Sequence, residues 1–331
     1  MRRAAWLGVG AATVLVSALA VTIAPGGPAR AQAPAADDGA HVVGERRLGA
    51  RMLDLTISSP ALDHEQRVRL LLPAGWKRDA DRTWPTLWLL HGAFGDHATW
   101  TAETEIEKLT EKLGVIVVMP DGGACASYSD WWNGGTGGRP RWETFHLTEL
   151  LQILERGYRA GGERSVAGVA GGGFGALSYA ARHRGLFRAA ASFSGTAHIL
   201  HEIPGALDAL DLRQLTMAVA CPGVDWRVVW GHPHAQRPIW RQHNPYDLVT
   251  QLTGVRLYVS AGTGEPGPLD PPRTAPSASE RVVHQTNAMY VEKLRKLAVP
   301  AASHFYDGTP AWPYWRRELS AALPVLLADL L

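Results

Sequence analysis

Short apolar runs alternate with stretches of helical periodicity along most of the chain. The runs are rich in Val, Ile, Leu or Ala, and several of them end at Pro or Gly. The runs that predict strands are residues 68–72, 86–90, 115–119, 165–169, 189–193 and 255–259, and residues 301–306 are also strand-like. Continuous apolar runs, in contrast to alternating ones, are typical of strands that are buried on both faces.

Between these runs, apolar residues recur at spacings of three and four. Residues 104–113 show this spacing at Ile106, Leu109 and Leu113, which predicts an amphipathic helix. The other predicted helices are residues 148–158, 174–182, 282–297 and 315–331. Strands that alternate with helices predict an α/β fold, with a mostly parallel central sheet and helices on both faces. Because no repeat or break in composition interrupts this order, we expect one domain over residues 45–331.

The N-terminal residues have the pattern of a secretory signal. Arg2 and Arg3 precede an uncharged, mostly apolar run over residues 4–24, and residues 29–31 read Ala-Arg-Ala. We expect a signal peptide over residues 1–31, cleaved after about Ala31, followed by a flexible leader over residues 32–44. A retained membrane anchor is the alternative, since the run is long enough to cross a bilayer. In either case we expect a protein that acts outside the cytoplasm, secreted or in the cell envelope.

Composition and charge narrow the possible functions. The 33 Lys and Arg against 31 Asp and Glu exclude a nucleic-acid binder that depends on a strong basic excess. A hydrophobic fraction of 46% excludes a disordered chain. Cys125 and Cys221 form neither a CxxC motif nor a Cys/His cluster, so no metal site and no cofactor is predicted. Whether the two cysteines pair in an oxidising compartment stays open at this point.

A glycine-rich segment follows the predicted strand 165–169. It reads Gly168-Val-Ala170-Gly171-Gly172, and it has the strand-to-helix context of the G-x-S-x-G nucleophile elbow. The small residues stand at the right positions, but the central residue is Ala170, whose methyl group cannot attack a carbonyl. The alternative is a glycine-rich turn of an ordinary doubly wound fold.

Several further segments occur in a fixed order along the chain. They are His91-Gly-Ala93-Phe94 after a strand, Tyr128-Ser-Asp-Trp-Trp132, Trp142-Glu-Thr-Phe145, Ser279-Glu-Arg281 and Gly308-Thr-Pro-Ala-Trp-Pro-Tyr-Trp315. Together with the elbow, they resemble the secreted actinobacterial esterases of the esterase D type and the antigen 85 mycolyltransferases. This resemblance covers the chain from about His41 to its end, and it implies an α/β-hydrolase fold.

The resemblance also implies which residues occupy the catalytic positions. The nucleophile position falls on Ala170, the acid on Glu280 and the histidine on Pro310. The two backbone N–H donors of the oxyanion hole fall on Gly171 and Ala93. Two of the three catalytic side chains are therefore replaced by residues that cannot perform acyl transfer. What remains is the oxyanion scaffold and Glu280, which can also be read as an ordinary carboxylate at a helix start.

The alternative interpretation is that catalytic groups at other positions replace the missing nucleophile and histidine. His304 and His284 are the candidates for a relocated base, and Ser165, Ser178 and Ser194 for a relocated nucleophile, although no serine stands at the elbow. Three functions follow from these alternatives. The first is a pseudoenzyme that binds a glycan, a lipid, a small acyl-type ligand or a protein in the former cleft. The second is a catalyst of a non-acyl reaction that uses the oxyanion scaffold and Glu280. The third is an active esterase or acyltransferase with relocated residues.

Aromatic side chains are the expected lining of that cleft. Besides His91 and Phe94, the candidates for stacking surfaces are Trp131, Trp132, Trp142, Trp312 and Trp315. For any single Trp, the alternative is a place in the hydrophobic core.

Overall fold

A computed structural model of the chain describes residues 34–331, except residues 124, 126, 204 and 205. The strands are β1 (His41–Arg47), β2 (Met52–Ser59), β3 (His64–Leu71), β4 (Trp84–Leu90), β5 (Ile116–Pro120), β6 (Ala160–Val169), β7 (Ala189–Phe193), β8 (Arg256–Gly262) and β9 (Ala301–Tyr306). They form one sheet in the order β1-β2-β3-β5-β4-β6-β7-β8-β9. Pairing is antiparallel from β1 to β5 and parallel from β5 through β9.

Helices cover both faces of this sheet. The α-helices are α1 (Thr99–Glu103), α2 (Ile106–Leu109), α3 (Trp142–Thr144), α4 (Leu151–Tyr158), α5 (Gly171–Arg182), α6 (Ala209–Ala220), α7 (Arg227–Trp230), α8 (Arg237–His243), α9 (Ala278–Lys296) and α10 (Trp312–Leu327). A π-helical stretch, Phe145–Leu150, joins α3 to α4. The predicted architecture, a mostly parallel sheet with helices on both faces, is confirmed.

The apolar runs are continuous because the central strands are buried on both sides. In β4, Leu87 and Leu89 belong to the core on one face of the sheet, whereas Trp88 and Leu90 belong to the core on the other face. Successive side chains of a strand point to opposite faces, so a strand between two helical layers needs apolar residues at every position. This pattern places the carboxyl ends of β4, β6, β7, β8 and β9 at one edge, where their loops can meet.

The ordered fold begins earlier than the predicted boundary at residue 45. Strand β1 starts at His41, and Ala36 and Ala40 are buried against the core. Arg156 of helix α4 also donates to the carbonyl of Ala35 at 2.8 Å. The small, polar composition that suggested a flexible leader instead lets the chain lie close against α4. The predicted signal peptide lies outside the described residues.

The structure also contains elements that the periodicity did not predict. Strand β2 alternates Leu53, Leu55 and Ile57 toward the core, a signal of a half-buried strand that the sequence did offer. Helix α6 has a capping box between Asp208 and Asp211. Within the described part of the chain, no helix combines the length and the apolar character that crossing a bilayer requires.

Candidate functional site

The turn after β6 has an unusual backbone conformation at Ala170. Its φ is 48° and its ψ is −117°, a sparsely populated region for a residue with a side chain. The Ala170 N–H donates to the carbonyl of Phe193 at 2.9 Å, and its own carbonyl accepts from Phe174 N–H at 3.1 Å. The turn therefore directs the Cβ of Ala170 outward at the start of helix α5. This is the geometry that the sequence suggested, with a methyl group at its tip.

Two glycines make this sharp turn sterically feasible. A Cβ on Gly168 would lie 2.2 Å from the backbone carbon of Gly172, and a Cβ on Gly172 would lie 2.2 Å from the carbonyl oxygen of Leu90. Both distances are far below van der Waals contact with backbone atoms, which cannot move aside easily. Strand β6, helix α5 and the end of β4 thus approach each other only because these positions lack side chains.

The loop after β4 faces the elbow. A Cβ on Gly92 would lie 3.3 Å from the Cβ of Ala170, so the two turns are in contact. Ala93 and Gly171, the predicted oxyanion donors, line the same cavity as Ala170. Phe94 has a φ of 118° and is 77% exposed at this cavity.

His91 lies beneath this loop and not in the cleft, contrary to the prediction. Its ring is fully buried, its Nε2 accepts from Gly122 N–H at 2.7 Å, and its Nδ1 lies 2.7 Å from the carbonyl of Gly92. An Nε2 that accepts a hydrogen bond requires the proton on Nδ1, which then donates to Gly92. The imidazole therefore holds the backbone of the loop, and this explains why it faces inward.

Glu280 lies in the cavity wall at the start of α9. It is 1% exposed, and its Oε1 accepts from the Ser194 hydroxyl at 2.6 Å and from Gly262 N–H at 2.8 Å. Trp315 Nε1 donates to the same hydroxyl at 3.0 Å. Burial raises the pKa of the Glu280 carboxyl to about 7, although both hydrogen bonds oppose this shift. The carboxylate thus pairs with a hydroxyl where the resemblance implies an imidazole.

This raised pKa predicts a pH-dependent stability. Between pH 4.5 and 7 the folded protein keeps the Glu280 proton while the unfolded chain loses it, so the free energy of unfolding falls as pH rises through this window. Glu280→Gln removes the titration and can still accept both hydrogen bonds. We expect the variant to gain about 3 kcal/mol relative to the wild type between pH 4.5 and 8.

Urea denaturation at a series of pH values would measure this difference. Glu111→Gln, at an exposed glutamate, is the matched control and should track the wild type at every pH. A Glu280→Gln difference that stays constant with pH would contradict the raised pKa.

Pro310 also lines the cavity, but no imidazole accompanies it. Among the described residues that line the cavity there is no histidine. His304 lies on β9 with its Nδ1 2.9 Å from the buried carboxylate of Glu318, and His284 packs against Phe305. Neither proposed replacement for the base therefore reaches the elbow.

Only one of the three alternative serines reaches the cavity. Ser165 donates to the carbonyl of Leu326 at 2.6 Å in the core, and Ser178 is buried in helix α5. Of the three, Ser194 lines the cavity, where its hydroxyl donates a hydrogen bond to Glu280.

The cavity has a volume of about 680 Å³, within the range of roughly 300–1,000 Å³ that small-molecule sites occupy. Its apolar lining includes Phe94, Phe174, Met217, Trp312 and Trp315. Trp131, Trp132 and Trp142, which were predicted as stacking surfaces, are not among the described residues that line it. Trp142 is in the main core, and Trp131 packs against another apolar cluster that includes Trp230 and Trp240.

Sequence reasoning missed the part of the cavity that helix α6 forms. Leu212, Arg213, Thr216 and Met217 line it from this helix. The helix is fixed at its end by a disulfide between Cys221 and Cys125, whose Cα atoms are 5.8 Å apart. The capping box at Asp208 was the available signal for the helix, but nothing in the sequence indicated which face it turns to the elbow. Within the described part of the chain, no cluster of His, Cys, Asp and Glu is arranged to hold a metal ion.

Comparisons with known proteins agree with this geometry. The family model described as "putative esterase" matches residues 59–326. Esterase Rv1288 of Mycobacterium tuberculosis is 31% identical over 82% of this chain, which spans 58% of that relative's length. The diacylglycerol acyltransferase/mycolyltransferase Ag85B of Mycobacterium leprae is 28% identical, and the match covers 98% of this chain and 94% of the length of Ag85B.

A solved structure shows the same fold. The structure of MPT51 (FbpC1) from Mycobacterium tuberculosis superimposes with a TM-score of 0.67 at 23% identity, over 86% of this chain and all of that one. The sheet order, the elbow and the extent of these matches lead to one conclusion. The chain belongs to the "putative esterase" family and has its α/β-hydrolase fold.

Proposed function

We propose that this protein is an exported member of the family that binds a ligand in the former catalytic cleft and does not hydrolyse esters through an acyl-enzyme. The observation that carries the proposal is the tip of the elbow. Ala170 holds the backbone conformation of a nucleophile, yet it presents only a methyl group to the cavity.

The rest of the triad supports the same conclusion. Acyl transfer needs a hydroxyl or thiol nucleophile and a base that takes its proton and later returns it to the leaving group. Pro310 supplies no base, and Glu280 accepts hydrogen bonds from the Ser194 hydroxyl and the Gly262 N–H instead of from a histidine. The remaining backbone donors at Gly171 and Ala93 can polarise a bound carbonyl, but they form no covalent bond to it.

The cavity lining indicates the class of ligand. Phe94, Trp312 and Trp315 supply apolar and aromatic surface, which suits a lipid, an acyl-type ligand or the apolar face of a sugar. Residues 1–31 have the pattern of a secretory signal, and we propose that the remaining chain acts as one domain in the envelope or outside the cell.

Fluorophosphonate labelling and hydrolysis of p-nitrophenyl butyrate test the proposal. We expect neither labelling nor hydrolysis above the blank for the native chain. The double variant Ala170→Ser, Pro310→His should gain labelling, because the elbow already aims this Cβ into the cavity and the imidazole supplies the base. Ala170→Ser alone is the control and should label about 10²–10⁴ times more slowly than the double variant.

The Ser194 hydroxyl would compete with the new imidazole for Glu280. Adding Ser194→Ala to the double variant should therefore increase the labelling rate further. Labelling or turnover by the native chain would overturn the proposal, and loss of that labelling in Ser194→Ala alone would assign a relocated nucleophile.

One observation favours a second candidate function. A carboxyl with a pKa of about 7 in a cavity wall can both accept and donate a proton near neutral pH, as a general acid–base catalyst must. In the same experiment, native turnover without labelling that Glu280→Gln abolishes would support catalysis without an acyl-enzyme, in which Glu280 acts as the general base for water and the backbone donors polarise the carbonyl.

A further inference from the structure

Arg213 is an arginine in the cavity wall for which the described residues supply no acidic partner. It lies in the middle of helix α6 and lines the cavity, and its guanidinium carbon is 4.0 Å from the ring centre of Trp230. The ring centre of Trp240 lies 5.5 Å from the same carbon. Two indole rings thus lie within cation–π distance of the guanidinium of a residue that also lines the cavity.

Most of the N–H donors of Arg213 form no hydrogen bond within the described part of the chain. The closest polar contact runs from Nη2 to the Ser127 hydroxyl at 3.5 Å, and the enclosed Nε has no partner. In the part of the chain that the structure describes, no carboxylate lies within ion-pair distance of this guanidinium. Desolvation lowers the pKa of Arg213 to about 9, so the group still carries its charge at neutral pH.

Two other enclosed arginines in this protein have counter-ions. Arg69 pairs with Asp54 at 2.7 Å, and Arg164 pairs with Glu155. A buried charge is costly unless an opposite charge and hydrogen bonds compensate it. An uncompensated guanidinium that faces a cavity therefore points to a negatively charged group on the molecule that fills the cavity.

We propose that the cavity binds an apolar carboxylate, with its carboxylate on Arg213 and its apolar body extending toward Ala170 and Trp312. This inference rests on the proposed binding function and adds to it the charge and orientation of the ligand. The planar guanidinium matches a carboxylate in a two-point arrangement. Arg213 is the only basic residue among the described residues that line the cavity. Its single positive charge balances the one negative charge of a carboxylate but not the two of a phosphate dianion.

The remaining lining fixes the direction of the ligand. Ile199, Leu212 and Met217 give the same cavity apolar surface, and the methyl group of Ala170 adds to it at the elbow. The acidic residues of the cavity, Asp96, Glu103 and Glu280, come from other elements. Of these, Asp96 has no arginine or lysine partner among the described residues, and it would repel a carboxylate that entered in the reverse orientation.

Isothermal titration of the purified chain with octanoate, octanamide and octyl phosphate tests this inference. We expect octanoate to bind at least tenfold more tightly than the isosteric neutral octanamide, and more tightly than octyl phosphate. Arg213→Met keeps the apolar contact with Trp230 and should lower the octanoate affinity about tenfold to a hundredfold, with octanamide unchanged. Arg213→Lys should recover part of the loss.

Arg237→Met, at an exposed arginine outside the cavity, is the matched control and should bind octanoate like the wild type. Equal affinities of the wild type for octanoate and octanamide would overturn the inference, and this comparison needs no variant to fold. Tighter binding of octyl phosphate would overturn the choice of a carboxylate. Fluorophosphonate labelling of the same preparation would overturn the proposed function separately, since labelling does not depend on Arg213.

Discussion

Gly172→Ala is expected to destabilise the protein by at least about 3 kcal/mol, because the new Cβ would overlap backbone atoms on a neighbouring strand. It would lie 2.2 Å from the carbonyl oxygen of Leu90 and 2.5 Å from that of His91. Neither oxygen belongs to a flexible side chain, so β4 and helix α5 would have to separate. That separation would also open the contact between the elbow and the loop at Gly92.

The free energy of unfolding in urea, measured by far-ultraviolet circular dichroism, tests this expectation. Gly162→Ala is the matched control, since Gly162 lies on strand β6, which leads into the elbow, and a Cβ there would meet nothing within 4 Å. The control should stay within about 0.5 kcal/mol of the wild type. A Gly172→Ala variant as stable as this control would show that the elbow is not as closely packed as described.

Removal of the disulfide is expected to cost about 4 kcal/mol. Cys125 and Cys221 are separated by 96 residues, and a cross-link that closes so long a loop strongly restricts the unfolded chain. We expect Cys125→Ser, Cys221→Ser to shift the urea midpoint downward accordingly. Helix α6 should lose order first, because the disulfide fixes its C-terminal end.

The wild type under reducing conditions provides the control for this pair of substitutions. It keeps both side chains and loses only the covalent bond, so it should show the same decrease as the double variant. If the reduced and oxidised proteins unfold at the same urea concentration, the disulfide contributes nothing to stability. Because α6 carries Arg213, octanoate affinity should fall together with this loss of stability.

The periodicity of apolar residues predicted most of the central sheet and several of the helices around it. The central strands are buried on both faces, so they require apolar residues at every position, and a linear sequence displays such runs directly. The antiparallel edge was missed at β1, whose residues are mostly exposed and polar. Likewise only the four residues of α2, Ile106–Leu109, are helical within the predicted helix over residues 104–113, and α1 ends before that range, at Glu103.

The sequence likewise identified only some of the residues of the candidate site. Ala170 could be identified from a local motif, because an elbow is a short segment whose glycine spacing is set by local sterics, and the family resemblance alone pointed to Pro310, which lines the same cavity. His91, Trp131 and Trp132 belong to the same motifs, but the direction in which a side chain points depends on what packs around it. The partnership of Glu280 with Ser194 joins residues 86 positions apart and has no local signal.

By itself, the sequence determined that this protein has a mostly parallel sheet, a glycine-built elbow, and no nucleophile at its tip. These features depend on residue types at short spacings, which a linear chain records directly. Only the tertiary structure decided that Cys125 meets Cys221, that Glu280 accepts a hydrogen bond from Ser194, and that Arg213 lines the cavity with no acidic partner in the described part of the chain. Each of these features brings together residues that are far apart in the sequence, and it depends on how helices α6 and α9 pack over the carboxyl ends of the strands.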